Sequence, residues 1–154
     1  MKLTQKIGGV ALALMLLGGG CSNGPSVDVA GQLAVIGLPN GKTIQVEVAR
    51  TPSERAAGLS DRTSLKGGML FCMGETKQQN FWMLGMKIPI DMVWIHGGEV
   101  RGVSAQVPVR ENEDWARRSS NEPVNMVLEL PSGAAKGFGL EPGVMLEDTN
   151  SACG

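Results

Sequence analysis

Between Gly68 and Ile95 the chain repeats one pattern, a short apolar run followed by a break at Gly, Pro or a polar cluster. Met69-Leu70-Phe71, Phe81-Trp82-Met83-Leu84 and the run across Pro89 are each short and bounded by such breaks, which reads as strands buried on one or both faces. The stretch holds two of the three Trp, two of the three Phe and five of the nine Met, so the core has to be organised around it. Inside this wall stands one acid, Asp91, between Ile90 and Met92. A buried carboxylate needs hydrogen-bond donors or a cation. The expectation is direct contact with an arginine, Arg55 first, or with two or more loop amides.

The flanking segments extend the β reading. Leu33–Leu38 and Thr43–Val48 are strand-like runs joined at Pro39-Asn40-Gly41, and Asn-Gly between apolar runs signals a hairpin. Thr51-Pro52-Ser53-Glu54 has the pattern of a capping box with Pro at the first helical position, so a short helix over Pro52–Ala57 is expected, ended by Gly58. Gly74 to Asn80 reads as a polar loop. His96-Gly97-Gly98 reads as a turn pairing Met92–Ile95 with a strand over Glu99–Val107. Pro108 to Pro123 reads as a long exposed loop in which Trp115 is the only large apolar residue. Asn125–Leu130 is a further strand carrying Glu129, Pro131–Lys136 about one helical turn, Gly143–Glu147 a last strand, and 148–154 a frayed, disordered tail.

The N-terminus has the layout of an export signal. Lys2 and Lys6 precede the apolar run Ile7–Leu17, and Gly18-Gly19-Gly20 lead to Cys21. The run is short for a membrane span and fits a signal peptide over residues 1–20. Cys21 after small residues resembles a bacterial lipoprotein cleavage site, although Gly18 stands where a Leu is usual. Lipidation at Cys21 would anchor the domain through a tether over residues 21–32, with simple secretion as the alternative. The expected location is the cell envelope, facing the periplasm, with the lipid bilayer as partner. The signal carries two lysines and no acid, so the 14 basic residues fall to 12 against 15 acidic, a net charge of −3. That balance argues against nucleic acid as a partner. Cys72 lies in an apolar run and Cys153 in a polar tail, which makes a bond between them the less favoured outcome even in an exported chain.

The residues Arg55, Gly58-Leu59, Arg62, Leu65, Gly68-Met69-Leu70-Phe71, Phe81-Trp82-Met83, Ile88-Pro89-Ile90-Asp91-Met92 and Val127-Leu128-Glu129-Leu130-Pro131, with Gly133 and Gly143, resemble the family known as domain of unknown function 192, also uncharacterised protein family 0127. The resemblance covers about Ile44 to Leu146. It implies a mainly β, single compact antiparallel, barrel-like domain, here over 33–147, with one or two short helices and no established activity. Two departures stand out. Ser60 replaces a usual Met, and Leu84-Gly85-Met86 replaces a usual Lys-Asn-Thr.

Arg55, Arg62, Asp91 and Glu129 form the candidate polar cluster, either a ligand-recognition pocket or structural ion pairing. Met69, Phe71, Trp82, Met83 and Pro89 are its candidate wall. His96 in a Gly-rich turn, with no second His, is a poor metal ligand, Ser60 lacks a base, and the Met residues lie at strand spacing rather than with copper-binding His or Cys. No cofactor and no metal are expected. The reading is a membrane-anchored extracytoplasmic binding or accessory protein of a small molecule or envelope partner, more a binder than an enzyme. The alternatives are an envelope hydrolase using Asp91 and Glu129, which requires both carboxylates in one cleft, and a purely structural lipoprotein, which requires no cleft near Arg55 and Arg62.

Overall fold

A computed structural model describes residues 32–109 and 117–154. The signal segment, Cys21, nearly all of the tether, and Trp115 lie outside the described residues.

The Asn40-Gly41 turn closes a hairpin of β1 (Gln32–Gly37) and β2 (Thr43–Ala49), with Ile36 opposite Ile44. Thr51 then starts α1 (Pro52–Ala57). Its hydroxyl accepts from the Glu54 amide at 3.2 Å, and the Glu54 carboxylate accepts from the Thr51 amide at 2.8 Å, the reciprocal bonds of a capping box. The chain returns as β3 (Gly68–Trp82), parallel to β2 over Gly68–Phe71. Close packing explains the two glycines at this entry. A Cβ on Gly67 would lie 1.9 Å from the Gln45 carbonyl oxygen, and one on Gly68 would lie 2.7 Å from that of Glu129.

β4 (Ile90–His96) and β5 (Glu99–Val107) form the second hairpin, turned at Gly97-Gly98. β6 (Arg117–Pro131) inserts between β3 and β4 and pairs antiparallel with both, so the six-stranded order is β1-β2-β3-β6-β4-β5. Two short helices follow, α2 (Ala134–Gly137) and α3 (Thr149–Cys153).

The fold is mainly β, as expected, but the sheet does not close into a barrel. Residues 143–147, expected as a strand, form only isolated bridges, Glu147 to Gly37 on β1 and Met145 to Glu99 on β5. This segment touches both edge strands without a ladder, so the sheet stays open.

Strict alternation gives the sheet two apolar faces. Leu70, Val93, Ile95, Leu128 and Leu130 point to one, covered by Ala135, Leu140, Leu146 and Ala152 from the C-terminal segment. Met69, Phe71, Met92, Trp94 and Val127 point to the other, covered by Leu59 after α1 and by Met83 and Met86 between β3 and β4.

Three further expectations are corrected. Gly74–Asn80 is strand, because β3 continues through it and pairs with the outer half of β6, with irregular register between Cys72 and Lys77 and between Gln78 and Asn80. Residues 117–123 are likewise strand rather than loop. Both segments are largely exposed, so their polarity reflects solvent on two sides rather than a loop backbone. Finally, the tail is ordered. A Cys72–Cys153 disulfide fixes α3 to β3, Thr149 and Ala152 are buried, and Arg50 donates from Nε (2.9 Å) and Nη2 (2.5 Å) to the Ala152 carbonyl.

Candidate functional site

Glu129 sits in the middle of the sheet. On β6 it lies opposite Met69 of β3 and Met92 of β4, so its nearest cross-strand neighbours are apolar. It is 4 % exposed, and among the described residues no hydrogen bond to its carboxyl offsets that burial. Burial without compensation disfavours the charged form and pushes its pKa up to about 8. At neutral pH the group is mostly a neutral acid, able to donate as well as accept.

The Glu129 carboxyl is not sealed in. It lines a cavity of about 210 Å³ roofed by α1 and the loop after it, and walled by β3 and the β3–β4 connection. Arg55 of α1 lines the same cavity. Its Nη1 donates to the carbonyls of Arg50 and Cys72, the latter at 3.0 Å, which orients the guanidinium with no carboxylate partner among the described residues. Phe71 and Phe81 stack edge-to-face at 5.3 Å, and Phe81 meets Trp94 edge-to-face at 5.8 Å, forming a rigid aromatic wall. Trp82 and Leu84, which also line the cavity, are 58 % and 44 % exposed. The arrangement offers one acid, one guanidinium and an apolar body, a combination suited to holding a small molecule.

The other candidates fall elsewhere. Asp91 is fully buried on the opposite face of the sheet from Glu129. Its Oδ1 accepts from the amides of Gln106 (2.7 Å) and Gly133 (3.0 Å), and Oδ2 from Ala135 (2.9 Å). An amide at an irregularity of β5 and two at the start of α2 therefore satisfy it, and no arginine among the described residues touches it. Arg62 forms a two-pronged ion pair with Glu47, Nη2 to Oε2 at 2.7 Å, whose hydrogen bonds hold the Glu47 carboxyl below the usual carboxylate range. It borders a separate cavity of about 200 Å³ together with Met69. Of the expected wall, Phe71 and Trp82 line the Glu129 cavity, Met83 is buried in the core and Pro89 is exposed. The proposed pairing of Asp91 with Glu129 does not form, because Asp91 shares its face with Val93 while Glu129 shares that of Met92. Among the described residues no group of three His, Cys, Asp or Glu is placed to hold a metal.

Residues 35–147 match the family model described as Uncharacterized ACR, domain of unknown function 192. The chain belongs to this family. Two solved structures resemble this chain. One is a protein of Sinorhizobium meliloti 1021 provisionally labelled a transcription regulator, 38 % identical over 73 % of this chain and 89 % of that one, with a TM-score of 0.64. The other is a protein of unknown function from Novosphingobium aromaticivorans DSM 12444, 30 % identical over 76 % and 86 %, with a TM-score of 0.67. Among curated proteins, none matches the sequence.

The departures from the family pattern now acquire a place. Ser60, Leu84 and Met86 all line the Glu129 cavity. Sequence reasoning reached Arg55 and Glu129 but did not place Phe81, Met73 or Asn80 in the site. The signal lay in the β3 continuation, which brings both ends of that strand to one cavity.

Proposed function

We propose that this chain is an exported, membrane-anchored binding module that holds a small molecule in the cavity between α1 and the sheet, without turning it over. The observation that carries this reading is Glu129, an acid in the middle of the sheet, nearly buried yet lining an open cavity, with burial alone raising its pKa. Burial disfavours the charged form of such a group, and a ligand that brings a partner to it offsets part of that cost. A purely structural role does not account for such a group at the base of a cleft. The anchor is supported by the export-like residues 1–20 and by Cys21. The regulator label of the Sinorhizobium protein is not carried over, because a DNA-binding surface asks for a positive surplus and the formal net charge here is −1.

Thermal-shift screening of the full chain against small polar metabolites tests the binding. A ligand at about 100 times its Kd should stabilise by roughly 2.7 kcal/mol, and Trp82→Ala should reduce the shift. Turnover of an ester, glycoside or phosphate substrate, abolished by Glu129→Gln, would contradict the reading. For the anchor, labelled palmitate should enter the wild-type chain and be absent from Cys21→Ala; equal labelling of both overturns that part.

A further inference from the structure

Given that the cavity is a ligand site, we propose that its ligand is a small apolar α-amino acid, its ammonium docked on Glu129, its carboxylate on Arg55 and its side chain against Phe71, Phe81 and Trp82. The inference rests on the binding reading above and names its ligand class.

The two polar ends of the cavity are of opposite kind and do not satisfy each other. No ion pair joins Arg55 to Glu129, so their charged atoms stand farther apart than 4.0 Å while both residues line one cavity, and neither neutralises the other. Arg55 is oriented by two carbonyls acting on Nη1 alone. Its remaining N–H groups form no hydrogen bond among the described residues, and a guanidinium fork suits a carboxylate. An apolar acid or an apolar amine satisfies one end only. An α-amino acid supplies both groups on one carbon and an apolar body besides. The volume of about 210 Å³ lies below the roughly 300–1,000 Å³ typical of drug-sized ligands, which fits a single amino acid better than a peptide.

Binding moves a proton. The neutral Glu129 carboxyl loses its proton to solvent, and the resulting carboxylate accepts hydrogen bonds from the ligand ammonium. Arg55 on α1 is the one other charged side chain lining the cavity among the described residues. The strand neighbours Met69 and Met92 are apolar, and the β3–β4 connection presents Leu84 and Met86. Glu129 is therefore the group whose titration the ligand feels. With its pKa at about 8, ammonium binding strengthens as pH rises, about tenfold per unit between pH 6 and 7.5.

Calorimetry of the full chain with L-leucine and L-phenylalanine, in two buffers of different ionisation enthalpy at pH 7, tests this. The expected result is binding with release of close to one proton, and at least tenfold weaker binding of N-acetyl-L-phenylalanine and of 3-phenylpropionate, which lack the ammonium. Glu129→Gln, close in shape to the native residue, should fold with an undiminished thermal midpoint and bind the amino acids at least tenfold more weakly, without pH dependence. Equal binding of the N-acetyl compound, or binding without proton release, overturns the inference and leaves the cavity a ligand site. Should neither amino acid bind while other metabolites stabilise the chain through Trp82, the amino acid class is wrong and the binding module stands. Should no compound of any class bind, both fall.

Discussion

Two buried carboxylates in this chain have opposite fates, and the difference lies in their donors. Asp91 has three backbone amides within 3.0 Å, one at an irregularity of β5 and two at the start of α2. Asp91→Ala leaves those amides facing an apolar cavity and should cost on the order of 3–5 kcal/mol. Exposed Asp61 and half-buried Glu99 should cost well under that when changed to Ala. Urea midpoints of the three variants decide it; an Asp91→Ala midpoint equal to the others contradicts the amide cage. Glu129 has no such donors among the described residues, and burial raises its folded pKa from 4.5 to about 8. The unfolded chain then binds fewer protons than the folded one between these values. The Glu129 contribution to stability is full below about pH 4.5 and declines by roughly 1.4 kcal/mol per pH unit until it levels off above pH 8. In Glu129→Gln that decline should vanish, so the variant should gain on the wild type as pH rises. Denaturant titrations at pH 5, 6, 7 and 8 read this directly, and parallel curves for the two proteins would contradict it.

At the scale of elements, the C-terminal segment is the part most changed from expectation. The Cys72–Cys153 bond closes a sequence separation of 81 residues, for which a chain-entropy account gives about 4–5 kcal/mol. Cys153→Ser should lower the thermal midpoint by many degrees and free α3 for proteolysis; an unchanged midpoint would show that Arg50 and the buried Thr149 and Ala152 suffice without the bond. What was legible in the sequence was local. The Asn40-Gly41 hairpin, the Thr51 capping box, the Gly97-Gly98 hairpin and the α2 turn all depend on residues within a few positions of each other. The readings that failed depend on distant partners. Gly74–Asn80 becomes strand only because residues 117–124 lie beside it, and 148–154 becomes ordered only because Cys72 is 81 residues away. Glu129 was legible as an acid in an apolar strand. That it faces away from Asp91 follows from the alternation of β4 and β6 in their mutual register, which no short motif encodes.

For the whole molecule, one sheet with two cores divides structure from function. The face of Leu70, Val93 and Leu128 is closed by the C-terminal segment and carries Asp91. The opposite face is closed less completely, by α1, its following loop and the β3–β4 connection, and the gap between them is the cavity at Glu129. The open edge of the sheet and the isolated bridges of residues 143–147 leave that division intact. The acid lining this gap is desolvated, with no compensating partner among the described residues. NMR titration of the Glu129 side-chain carboxyl carbon in the folded full chain, assigned by its loss in Glu129→Gln, tests that claim most directly. The account predicts a midpoint near pH 8. A midpoint near 4.5 would show a solvated or partnered carboxylate and would contradict it.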